Sequence, residues 1–135
     1  MTQALPELDQ FIAGWSDTEE NRRAFLRLRE VLAAKPDTLL AFVAREGVTY
    51  SLRARHAEQK DRSLFVMVDV IEDQPRWLSV CFYDDMAGDP DEAGDHVPEG
   101  LLGEDAVCFD VESYDEGLIA YVEARIDEAH RAAAG

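Results

Sequence analysis

From residue 38 the spacing of apolar residues in this chain changes to a period of two, cleanest over 48–55, and β-branched and aromatic types become frequent as far as residue 83. That period belongs to strands, whose side chains alternate between two faces, and it confines nearly a third of the chain to β-structure. Glu46-Gly47 divides the first part into arms at 39–45 and 48–56, and the glycine supplies the positive φ that a tight hairpin turn needs. In the second arm Val48, Tyr50, Leu52 and Ala54 fall on one face and Thr49, Ser51, Arg53 and Arg55 on the other, so one side of this hairpin is wet. The next two runs, 63–71 and 77–83, are apolar at nearly every position and are joined through a proline-containing break at 72–76. Such runs predict central strands that need a cover on both faces, from this chain or from a second subunit.

Helical spacing frames the strands. Leu5, Leu8, Phe11, Ile12 and Trp15 predict a short first helix interrupted at Gly14. Ser16 and Glu19 have the capping-box spacing ahead of a second helix to about Ala34, with Phe25, Leu28, Val31 and Leu32 as its stripe. Ser113 and Glu116 repeat the box ahead of a last helix carrying Leu118, Val122, Ile126 and Ala129. A fifth strand is predicted over 106–111, and the stretch 84–105, with its glycines and prolines and no periodicity, reads as a long acidic loop. The expected fold is a single α+β domain over 1–135: an antiparallel, meander-like sheet of about five strands, with two N-terminal helices and one C-terminal helix packed mainly on one face.

Charge is divided unevenly. Residues 1–67 hold 10 Lys and Arg against 10 Asp and Glu, residues 68–135 hold 3 against 19, and the chain carries a net charge of −16. A surface of this sign repels phosphate backbones, which argues against nucleic-acid and anionic-membrane partners and favours a cation, a basic protein or simple solubility, while self-association is one way to cover the sheet face. No run approaches the roughly 20 apolar residues of a membrane span, the first residues lack the pattern of a secretory signal, and the expected location is cytoplasmic. Cys81 and Cys108, in apolar runs without C-x-x-C spacing, read as buried reduced thiols.

No catalytic motif is present, and the enzyme reading is the weaker one. Asp69 is the one carboxylate in a strongly apolar run and must be paired or protonated, with Arg53, Arg55 and Arg76 as candidate partners. Trp77, Ser79, Cys81 and Tyr83 share a strand face, so Trp77, Tyr83, Asp69, Arg53 and Arg55 form the candidate ligand-binding set. Asp89, Asp91 and Asp95 occupy carboxylate positions of an EF-hand-like loop, but Ala93 and Gly100 stand where further ligands belong. His96 and Asp95 are the remaining acid/base candidates beside Asp69, while His56 and His130 read as boundary or surface histidines. The leading expectation is a non-enzymatic interaction or regulatory protein that uses its sheet face and acidic half, with no cofactor. The alternative is a small-ligand or weak Ca²⁺-binding module with the 84–105 loop as lid or ligand source.

Overall fold

The computed structural model describes residues 5–135. Its first helix, α1 (Pro6–Ala13), begins on a proline, whose missing N–H is harmless in the first turn, and it buries Leu8 and Ile12. The second, α2 (Glu20–Ala34), buries Asn21, Ala24, Phe25, Leu28 and Leu32. Its expected capping box does not form. The Ser16 hydroxyl bonds locally to Thr18 instead, and the helix starts at Glu20 with no side-chain cap. The closing helix, α3 (Glu116–Ala133), is capped by Asp115, which accepts from the Leu118 N–H at 3.1 Å. Asp115 lies one residue ahead of the first helical position, where a carboxylate can reach the third helical N–H; Ser113 is too far upstream to serve.

Six strands, one more than the sequence pattern suggests, form a wholly antiparallel sheet: β1 (Thr38–Arg45), β2 (Thr49–His56), β3 (Val66–Ile71), β4 (Trp77–Tyr83), β5 (Asp95–Leu101) and β6 (Glu104–Val111). Their order is β1-β2-β3-β4-β6-β5. The β1–β2 turn holds Gly47 at φ +80°, as its sequence demands, and closes with the Val48 N–H donating to the Arg45 carbonyl at 2.9 Å. The additional strand is β5, which takes the second part of the expected 84–105 loop. It lies on the sheet edge with its first five residues exposed, contains Pro98, and pairs irregularly with β6 between Val97 and Leu101. An edge strand with one free side tolerates proline and needs no apolar alternation, so it leaves no period to read. Leu102 and Gly103, at φ +50° and +86°, make the two-residue turn back into β6.

All three helices lie on one face of the sheet. The core joins their stripes to the even-numbered residues of β2, β3 and β4, such as Leu52, Val68 and Val80, and to Val107, Phe109 and Val111 of β6. Asn21 fastens α2 across the end of this layer: its Nδ2 donates to the carbonyls of Arg76 (2.8 Å) and Glu112 (3.0 Å). The opposite face has no helix over it. Only its end near Tyr83 is sealed, by a small second cluster in which Leu64, Leu101 and Ala106 pack with Tyr83 and the two cysteines.

Candidate interaction surface

Strand register sets the open face out in rows. One row runs Ala41, Arg53, Met67, Cys81, Cys108, Asp95. The next runs Val43, Ser51, Asp69, Ser79, Asp110, and a third runs Arg45, Thr49, Ile71, Trp77. Leu39 and Val43 are 43% and 40% exposed, and Met67, Ile71 and Trp77 are half-buried. The face therefore carries apolar side chains on β1 and on β3 and β4, separated by the polar Thr49, Ser51 and Arg53 of β2, and no helix among the described residues covers them.

Its charges are segregated. Arg45, Arg53 and Arg55 stand on β1 and β2, Asp95 and Asp110 on β5 and β6, and Asp69 between them on β3. Among the described residues no ion pair within 4.0 Å joins any of the six. Asp69 is half-buried, and it reaches Arg53 only through Ser51: the Arg53 Nε–H donates to Ser51 Oγ at 3.1 Å, and the Ser51 hydroxyl bonds the carboxylate. One Asp69 oxygen is buried without a partner. Burial pushes the Asp69 carboxyl up, and Ser51, Arg53 and Arg45 only partly oppose it. Asp110 is also raised, by burial first and then by the neighbouring charges of Asp95 and Glu112.

All five residues of the candidate ligand set point to this face, but they do not enclose a pocket. Trp77 and Tyr83 stand at opposite ends of β4, roughly 20 Å apart along the strand. Tyr83 is only 2% exposed, under the Arg62 guanidinium 4.0 Å from its ring, and Arg62 is pinned by Asp85 and Glu104 at 2.7 Å each. The clefts lie elsewhere. One of about 1040 Å³ is lined by residues including Lys60, Arg62, Asp85 and Gly135. Another, of about 540 Å³, is lined by residues including Phe11, Phe42, Tyr50 and Arg76, whose guanidinium lies 4.9 Å from the Phe11 ring and is paired with Glu72.

The expected cation ligands do not converge. Asp95 is on the open face. Asp89 instead organises its own loop: its Oδ1 accepts from the Ala93 N–H (2.9 Å) and the Tyr121 hydroxyl (2.6 Å), and its Oδ2 from the Gly94 N–H (2.9 Å). Burial would raise this carboxyl, but those donors together with Arg125 hold it below the usual carboxylate range. Asp91 is exposed and contributes its backbone N–H to the Tyr121 oxygen. The acidic groups that do approach one another are Asp84, His96 and Asp105, all exposed.

The cysteines depart from the sequence reading. Cys81 and Cys108 face each other across β4 and β6 and form a disulfide, where free thiols were expected. Their 27-residue separation carries no sign of it, because the pairing is created by β6 returning beside β4. Arg45 and Asp110 also escaped the sequence reading: each is an ordinary strand residue until the sheet order puts them on one face. No protein-family model, curated protein or solved structure matches this chain.

Proposed function

We propose that the protein is a non-enzymatic interaction or regulatory module that binds another polypeptide with the open face of its sheet, the acidic half of the chain selecting a basic counterpart. The observation that carries this reading is the position of the helices. All three lie on one face, leaving Leu39, Val43, Met67, Ile71 and Trp77 on the other with no helix over them. Apolar side chains interleaved with polar and charged ones fit a protein interface, which as a whole is about as apolar as the rest of a protein surface. The net charge of −16 makes nucleic acid and anionic lipid poor partners, and no helix among the described residues is long and apolar enough to cross a membrane. Cytoplasmic placement belongs to this proposal, although the Cys81–Cys108 disulfide is a bond more common in oxidising compartments.

The test is site-specific photo-cross-linking in cells, with a photoreactive residue at Val43 on the open face or at Ala124 on the exposed side of α3. Discrete protein adducts from position 43 and none from position 124 are expected. A silent position 43 contradicts the reading.

A further inference from the structure

We infer that the polypeptide seated on the open face is a second copy of this chain, related by a two-fold axis that runs parallel to the strands between β3 and β4. The inference rests on the reading of that face as an interaction surface, and it names as occupant a second copy of this acidic chain instead of a basic counterpart. In its open part the face carries three arginines (Arg45, Arg53, Arg55) and three aspartates (Asp69, Asp95, Asp110), so it is neutral on a chain whose net charge is −16. Two such acidic chains repel over most of their surfaces, and a neutral, apolar face is where that repulsion is least.

The arrangement of the six charges then selects the geometry. Face-to-face sheets pack about 10 Å apart with their strands nearly aligned. A two-fold axis along the strands lays β1 over the partner's β5, β2 over the partner's β6 and β3 over the partner's β4, given the order β1-β2-β3-β4-β6-β5. Each row then lies over the same row of the partner: Arg53 stands beside the partner's Asp95 and one row from the partner's Asp110, Arg45 is one row from the partner's Asp110, Arg55 is one row from the partner's Asp95, and Asp69 comes beside the partner's Asp69 near the axis, with the symmetry repeating each pairing once. An axis across the strands would instead set β2 on β2 and β6 on β6, arginine against arginine and aspartate against aspartate, which like-charge repulsion opposes. Only the first arrangement is self-complementary. It also closes Met67, Ile71 and Trp77 against their counterparts, and it gives Arg53 and Asp110 the ion-pair partners they lack within the described chain.

Sedimentation equilibrium at physiological salt, on the intact chain and on Arg53→Glu, Asp110→Arg and the double variant, tests this. The wild-type chain is expected at twice its monomer mass, each single variant should weaken the dimer by at least ~10-fold, and the double variant should recover most of that loss because the pair is restored with its signs exchanged. Circular dichroism checks that the variants keep the fold. A wild-type chain that stays monomeric at roughly 500 μM, well above the concentrations at which a specific interface forms, overturns the second copy while photo-cross-linking at position 43 still decides separately whether the face binds anything. A dimer indifferent to both single substitutions uses another surface and overturns the inference. Loss in the singles without recovery in the double overturns the assigned axis.

Discussion

The two faces of this sheet both carry apolar side chains, and those side chains end in opposite environments. Leu52 on β2 points under the helices and is fully buried, whereas Leu39 on β1 points to the open face and is 43% exposed. The two tryptophans divide the same way: Trp15 is buried with Phe25 beneath the helices, and Trp77 is half-buried on the open side. On the covered face apolar surface is consumed by folding. On the open face it is left over, together with charges that the chain does not pair. Folding accounts for one face, and the association proposed above would account for the other.

Matched leucines give the sharpest way to break this comparison. Leu52→Ala should destabilise the chain by about 3 to 4 kcal/mol, the ordinary loss for a leucine in a closed core. Leu39→Ala, measured by urea unfolding at low protein concentration, should stay within about 0.5 kcal/mol, as exposed positions do. Equal losses would mean that the open face is core of the single chain.

Reduction of Cys81–Cys108 probes the strands under the open face themselves. A bond closing a 27-residue loop restrains the unfolded chain, and breaking it should cost about 3 kcal/mol, read as the shift in unfolding midpoint with and without reductant. Identical midpoints would show that the two strands hold their register without the bond.

Two aspartates sharpen the comparison through pH, because their shifts have opposite signs. Asp89 is held below its unfolded value, so its contribution is present above the unfolded pKa and disappears as pH falls through the folded one. Asp89→Asn should therefore lose about 1 kcal/mol near neutral pH, since an amide nitrogen cannot accept from the loop N–H groups. Asp69 is raised by burial, so its ionisation is a penalty, absent below the unfolded pKa and fully present above the folded one. Asp69→Asn should then leave stability at pH 3 nearly unchanged and raise it slightly at pH 7, in paired thermal melts at the two pH values. A loss at pH 7 would mean that the Ser51–Arg53 connection outweighs the burial.

The same contrast explains what could be read beforehand. The β1–β2 hairpin was legible because β2 alternates between a buried and a wet side and Gly47 marks the turn. The apolar density of β3 was legible too: Met67 and Ile71 make it look covered on both faces, and the missing cover is the open face. The edge strand β5 was not legible, since its first five residues are exposed and neither burial nor alternation acts on them. Asp69 stood out as one carboxylate among apolar neighbours. Arg53 was among the partners read for it, but Ser51 and Arg45 were not, because strand pairing brings them near it and no local pattern encodes that pairing.

Trp77 offers the most direct measurement of the central claim. In a Trp15→Phe variant it is the only tryptophan left, and it reports from the open face alone. Acrylamide quenching of its fluorescence, followed as protein concentration rises through the dimerisation range, should start efficient and fall severalfold as the face is closed by a second copy. Quenching that stays efficient at every concentration, up to the highest that sedimentation can follow, would contradict the account.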